Sequence, residues 1–290
     1  MSKTSLHGPI LLTGGYGGLG SALADRLDGS KEVVRVGRQK AAQYQCDLTD
    51  ATAVACMISH ICPSRVIHFA AATDVDLCED NPHYAWMNNV LATRNLVEAI
   101  IDTAPETSVF FASTDQVYSG VGEHMELNIS PVNVYGLTKL WAEEYIQRLS
   151  NHLVFRMNFF GVTKSGGVSV LDWLANSAGL GRKITLFDDV LFNPLHANDL
   201  IETILLALDQ RLTGLFNVGA SDGGVSKADF LIMAAQLCNI DVKSFRRGSV
   251  DDMGFAAVRP KDMRMNVDRL QVALGVKLPS LSLTLKNLVK

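Results

Sequence analysis

The sequence predicts an α/β fold built on a doubly wound parallel sheet, with a smaller C-terminal lobe. Short apolar runs alternate with longer amphipathic stretches through residues 1–160, the pattern of parallel strands joined by crossover helices. A glycine-rich turn connects the first run to the first amphipathic stretch. After about Gly161 the alternation loosens and glycines cluster at Gly166-Gly167 and Gly179-Gly181, which marks residues 161–290 as a mainly separate lobe with some segments returning to the sheet. With 290 residues, 48% of them hydrophobic and 19% charged, the chain can bury a substantial core and lacks the composition of disorder.

Pro9 to Thr13 reads as the first strand, Gly18 to Leu27 as a helix and Glu32 to Val36 as the second strand. Tyr44 to Cys46 is a short third strand, Asp50 to Ile61 a helix, and Arg65 to Ala70 the fourth strand. Pro82 to Ala104 reads as one long helix, opened by a proline where a missing N–H costs nothing. Ser108 to Ala112 is the fifth strand, Thr138 to Leu149 a helix and His152 to Arg156 the sixth strand. Lys183 to Phe187 and Gly214 to Val218 are isolated strands of the second lobe.

Several function classes drop out. Twenty-six Lys and Arg against 30 Asp and Glu leave a net charge of -4, so no basic field is available to hold a nucleic acid backbone. The five cysteines form no Cys-x-x-Cys pair and read as reduced core thiols of a cytoplasmic protein. His7, His60, His68, His83, His124 and His152 show no ligand spacing, so no metal centre is expected. Ile10 to Leu12 is too short for a signal peptide, and no window reaches the ~18 apolar residues of a membrane span, so no membrane partner is expected.

Thr13-Gly14-Gly15-Tyr16-Gly17-Gly18-Leu19-Gly20 places glycines at 14, 17 and 20 between a strand and a helix. Such a turn lets backbone N–H groups and the positive end of a helix approach a pyrophosphate, the signature of a Rossmann-type dinucleotide site. At the end of the second strand, where a carboxylate would select NAD by its ribose hydroxyl, the chain has Val36-Gly37-Arg38-Gln39. Arg38 can pair with a 2′-phosphate, which favours NADP(H) and leaves NAD(H) possible; a solvated surface arginine is the alternative. Tyr135 and Lys139 stand four apart at a helix start, on one face, where an ammonium would lower the phenol pKa toward a useful range. Just upstream, the fifth strand delivers the hydroxyls of Ser113 and Thr114 to the carboxyl edge of the sheet, where open α/β sheets bind ligands.

With the glycine turn, Asp47-Leu48-Thr49-Asp50, Phe69-Ala70-Ala71-Ala72, Asn88-Asn89-Val90, Ser113 to Tyr118 and the Tyr135 to Lys139 motif, the chain resembles the extended short-chain dehydrogenase/reductases acting on nucleotide sugars. Ser113 to Gly120, Ser130 to Gly136 and Val258-Arg259-Pro260-Lys261-Asp262 are similar to the patterns of the dTDP-4-dehydrorhamnose reductase group. The resemblance implies NADPH-dependent reduction of the 4-keto group of a nucleotide-linked deoxysugar. It makes Thr114 the catalytic hydroxyl, Tyr135 the general acid and Lys139 its partner, also bonded to the nicotinamide ribose. It places Gly18 and Leu19, with Gly14, Gly17 and Gly20, on the pyrophosphate, Asp47 and Leu48 at the adenine, and Ala70, Ala71 and Ala72 along the cofactor. Asn89 would complete a proton relay or serve as a structural anchor beside the cofactor, Thr73, Asn158 and Phe159 would face the nicotinamide end or the sugar, and Arg259 would meet the nucleotide part of the substrate. Thr73 and Asn158 could equally satisfy loop backbone. Arg246-Arg247 would lie where the family binds the nucleotide diphosphate, or be solvated surface charge; His196 reads as structural.

The related 4,6-dehydratases carry Thr-Asp-Glu where this chain has Thr114-Asp115-Gln116, and an amide cannot act as their base. The reductases usually carry a Trp in the segment matching Asn158-Phe159-Phe160, and this chain has none. Two alternatives stay open: a nucleotide-sugar epimerase with bound NAD, and a non-catalytic NADP-binding regulatory subunit. The family also implies a homodimer through the helices Pro82 to Ala104 and Thr138 to Leu149.

Overall fold

A computed structural model describes residues 8–27, 32–161, 170–243 and 245–289; His7 and the Gly166-Gly167 cluster lie outside the described residues. Seven parallel strands form the central sheet. Its first six in chain order are β1 (Ile10–Thr13), β2 (Val33–Gly37), β3 (Tyr44–Gln45), β4 (Arg65–His68), β5 (Ser108–Thr114) and β6 (His152–Met157). The sheet runs from the strand Gly214–Val218 through β6, β5, β4, β1 and β2 to β3, so the order reverses at β1 and β4. That reversal opens a crevice at the carboxyl ends of the strands, where doubly wound folds bind their ligands.

Successive side chains of each strand go to opposite faces, and both faces are covered. Leu11, Val66, Phe111 and Val154 pack on the α2 (Ala51–Ile61), α5 (Ala92–Thr103) and α6 (Val134–Ile146) side. Ile10, Leu12, Ile67, Phe110 and Phe155 pack on α1 (Gly18–Leu27) and on the C-terminal elements. The remaining described strands pair outside the main sheet. Phe159–Phe160 lies parallel to Leu195–His196, Leu191–Phe192 antiparallel to Val225–Ser226, and Thr185–Phe187 parallel to Arg246–Gly248.

Four departures from the sequence pattern matter for the site. β4 stops at His68, and Phe69 to Ala72 leave the sheet. A short helix, α3 (Val75–Asp80), follows, capped by Asp74, which accepts from Leu77 N at 3.0 Å. The long helix is interrupted: α4 (Pro82–Ala85) and α5 are joined by a π turn, Trp86–Leu91, in which Ala92 N donates to Met87 O five residues back. The helix that carries Tyr135 and Lys139, α6, begins four residues earlier than the apolar period suggests. Asn133 caps it by accepting from Gly136 N at 2.8 Å. A side chain at Gly136 would meet Gln116 O at 2.3 Å, so the tight approach of that first turn to the β5 exit requires glycine.

Candidate active site

Two adjoining cavities of about 250 and 590 Å³ run along the carboxyl edge of the sheet, sharing Gly14, Gly17, Ala70 and Ala71 as common wall. Their shape comes from the glycine turn. Gly14 has φ of +66°, and a Cβ there would sit 2.6 Å from Ala70 N; one on Gly20 would sit 2.3 Å from Gly14 O. The turn is therefore a cradle that side chains would fill, closed behind by Arg35, which donates to Gly15 O and to Ser21 Oγ and stacks on the Tyr16 ring at 4.4 Å. A dinucleotide fits this glycine-lined turn at the start of α1.

The smaller cavity is lined by Gly14 and Gly17, by Arg38, Asp47 and Leu48, and by Ala70, Ala71 and Ala72. Asp47 is the only carboxylate among its lining residues, and it is occupied by Thr49, accepting from its N and Oγ1, both at 2.9 Å. Those hydrogen bonds, with Arg38 contributing, hold its carboxyl below the usual range. Tyr16, Gln39, Tyr84 and Asn88 also line this cavity, though the sequence assigns none of them a site role. Their signal was weak: Tyr84, Asn88 and Ala92 recur every fourth residue along one helix face.

The larger cavity brings together Gly18, Leu19 and Gly20 with Thr73, Thr114, Tyr135, Lys139, Asn158 and Phe159. β5 delivers Thr114, the first turn of α6 delivers Tyr135, and Lys139 follows one turn later. The Tyr135 hydroxyl faces the same cavity as Thr114, close enough for the Thr114 side chain to act on its acidity. Thr114 Oγ1 accepts from Gln116 N at 3.2 Å and donates to Asp115 Oδ1 at 3.3 Å; Asp115 Oδ2 accepts from Asn158 Nδ2 at 2.5 Å. A continuous polar chain thus runs Thr114, Asp115, Asn158 along the cavity wall, with Tyr135 beside Thr114.

Burial dominates the electrostatics of this chain. It pushes the Tyr135 hydroxyl well above its ordinary range, with Thr114 offsetting part of the rise and Asp115 and Cys78 adding to it. The lowering by a neighbouring ammonium that the Tyr135 to Lys139 spacing suggests is not present. Lys139 instead lies over the Phe111 ring at 4.0 Å, and burial brings its own pKa down to about 7, with Glu143 pulling the other way. Asp115 is raised to about 6 by burial, against the hydrogen bond from Asn158 and the charge of Lys227.

Two predicted site residues line neither cavity. Asn89 is buried behind the wall, where its Oδ1 accepts from Ala72 N at 2.7 Å and its Nδ2 donates to Ala72 O at 3.1 Å and Thr138 Oγ1 at 3.0 Å. Its amide is spent on fixing the Ala72 loop to α6, the structural anchor of the two roles the resemblance implies, and it does not itself line the cofactor groove. Arg259 donates to Asp76 Oδ2 at 2.6 Å and packs on the Phe255 ring at 4.5 Å, so it ties the C-terminal segment to α3. Arg246 and Arg247 are exposed, and Arg247 pairs with Asp188 and Asp229, which fits surface charge. Lys227, at the start of the helix Lys227–Leu237, was also missed; its charge favours the ionised form of Asp115. Among the described residues no cluster of His, Cys, Asp or Glu is arranged to hold a metal ion, and no helix is long and apolar enough to cross a membrane.

Comparison with known proteins is consistent with this geometry. The family defined as the RmlD substrate binding domain matches residues 8–290. The chain is 29% identical over 245 residues to the probable low-salt glycan biosynthesis reductase Agl14 of Haloferax volcanii, covering 82% of this chain and 81% of that protein. It is 27% identical over 262 residues to dTDP-4-dehydrorhamnose reductase of Escherichia coli K12, covering 85% of each. The crystal structure of a dTDP-4-dehydrorhamnose reductase from Clostridium acetobutylicum superposes with a TM-score of 0.87 at 25% identity, over 97% of this chain and 98% of that one.

Proposed function

Because the chain belongs to the RmlD substrate binding domain family, we propose that it is an NADPH-dependent reductase of the 4-keto group of a nucleotide-linked deoxysugar, acting as a dTDP-4-dehydrorhamnose reductase does. The observation that carries this reading is the hydroxyl pair of Tyr135 and Thr114, set with Lys139 on the wall of a cavity that continues the glycine cradle. Residues 1–160 hold the cofactor in this reading, and residues 161–290 supply most of the sugar-nucleotide side.

Gly14, Gly17, Gly18, Leu19 and Gly20 would hold the pyrophosphate at the start of α1, Asp47 and Leu48 would border the adenine, and Ala70 to Ala72 would flank the chain of the cofactor. Arg38 faces the ribose end with no competing acid in the Val36 to Gln39 turn, so NADP(H) is preferred and NAD(H) remains usable. The nicotinamide, when bound, supplies the hydride.

With substrate in place Thr114 turns its one hydroxyl proton from Asp115 to the substrate carbonyl, and Tyr135 gives its hydroxyl proton to the carbonyl oxygen as negative charge develops there. Burial keeps Tyr135 protonated until that moment. Lys139 in its ammonium form then compensates the phenolate, and Glu143 favours that form. Thr73, Asn158 and Phe159 contact the sugar, with Asp115 fixing the orientation of Thr114 and Asn158. Arg259 shapes the nucleotide end through its pair with Asp76.

The protein is read as cytoplasmic, where NADPH and free thiols coexist. It is also read as a homodimer. Trp86 and Trp141, exposed at 38% and 42%, meet edge to face at 4.9 Å on the outer side of the two helices named above, an apolar surface suited to a second copy. Activity is tested by following NADPH absorbance with a panel of nucleotide-linked 4-keto-6-deoxysugars. Oxidation that depends on the sugar and is lost in Thr114→Val supports the reading. Tight NADPH binding without oxidation by any sugar contradicts it.

A further inference from the structure

Arg38 and Asn88 both line the smaller cavity, one following the end of β2 and the other in the π turn. Arg38 Nη1 donates to Asn88 Oδ1 at 3.2 Å, and Asn88 Nδ2 donates to Tyr84 O at 2.8 Å. The second bond fixes which way the amide points: its NH₂ is held by a carbonyl, so its oxygen faces the guanidinium. A flipped amide would lose both bonds.

The π turn is what makes the reach possible. In an α-helix every fourth residue drifts around the axis, because four residues exceed one turn of 3.6. The wider turn, with Ala92 N bonded to Met87 O, rotates less per residue and cancels part of that drift. Tyr84, Asn88 and Ala92 therefore stay in line along the cavity, while Asn89 points inward to the Ala72 loop. Such turns are frequent at functional sites, and here one serves two asparagines with different tasks.

We propose that Asn88 is a positioning residue for cofactor selection: it clasps Arg38 across the adenosine end of the groove and holds the guanidinium to receive a 2′-phosphate. The inference rests on the reading of this groove as an NADP(H) site and adds the residue that sets its selectivity. With Nη1 occupied by Asn88, Arg38 keeps Nε and Nη2, the edge suited to bidentate pairing with a phosphate. Holding one long side chain in place removes an entropy cost that binding would otherwise carry.

The test is calorimetric binding of NADPH and NADH, without sugar, to wild type, Asn88→Ala, Asn88→Asp, Arg38→Ala and the Arg38→Ala/Asn88→Ala double variant. Asn88→Ala is expected to weaken NADPH about five-fold and leave NADH within about two-fold, the loss of one charge-assisted hydrogen bond at an exposed site. Asn88→Asp, which sets a carboxylate against the 2′-phosphate and ties up Arg38, should weaken NADPH by more than about thirty-fold and spare NADH. In the Arg38→Ala background the Asn88→Ala change should have no further effect. Equal weakening of both cofactors, or an Asn88 effect that persists without Arg38, overturns the clasp while the NADP(H) reading stands. A wild type that binds NADH as tightly as NADPH overturns that reading and the clasp with it.

Discussion

Replacing Asp115 by Asn should make this protein more stable above neutral pH and less active. Asp115 is 2% exposed, and burial raises its carboxyl from 3.8 to about 6 despite the bond from Asn158 and the charge of Lys227. That rise is worth about 3 kcal/mol between the two protonation states. The folded state binds the proton more tightly than the unfolded chain does. Stability from this group is therefore full below about pH 4 and lost as pH rises through about 6, leaving the ionised form to carry the whole cost at pH 8. Asn keeps the shape and removes the charge. Urea unfolding followed by circular dichroism should show Asp115→Asn gaining about 1–3 kcal/mol at pH 8, with the gain fading toward zero at pH 4. Turnover should fall, since the carboxylate that orients Thr114 and Asn158 is gone. A gain of the same size at both pH values, or a loss at pH 8, would refute the assignment of Asp115 as a buried charge held for function.

Other perturbations have equally definite outcomes. Glu143, fully buried, holds Arg156 through bonds of 2.6 to 3.2 Å and accepts from Ser113; Glu143→Ala should cost about 3–5 kcal/mol in urea unfolding by stranding the Arg156 charge. Gly20→Ala forces a methyl against Gly14 O and should abolish NADPH binding in calorimetry while the circular dichroism spectrum persists. The Lys139 ammonium, with a pKa near 7, is lost as pH rises, so kcat/KM should fall above about pH 7; in Lys139→Arg, which stays charged, that limb of the residual pH profile should be absent.

What could be read before folding was whatever depends on neighbours in sequence. The alternation of apolar runs located the strands, and the run Gly14 to Gly20 between β1 and α1 located the cradle. Thr114, Tyr135 and Lys139 were legible because a strand end and a helix start put them at one edge. What escaped depends on contacts far apart in the chain. The start of α6 is set by the Asn133 side chain and by the approach of Gly136 to Gln116, neither visible in the apolar period. The acidity of Tyr135 was misjudged because spacing places Lys139 nearby but cannot show that Phe111 takes the ammonium. Asn89 and Arg259 carry the right chemistry for a ligand, but their hydrogen bonds go to Ala72, Thr138 and Asp76. Asn88 was hidden by the π turn, since no residue pattern announced the extra residue that aligns it with Arg38.

The central claim is that hydride from a nicotinamide and a proton from Tyr135 meet on a sugar carbonyl. It is tested most directly with NADPH deuterated at the transferable C4 position, a dTDP-linked 4-keto-6-deoxyhexose and mass spectrometry of the product. Wild type should yield a sugar one mass unit heavier, with the label on C4, and Tyr135→Phe should form it at least about a hundred-fold more slowly. Product without deuterium, or an undiminished rate in Tyr135→Phe, would contradict the account.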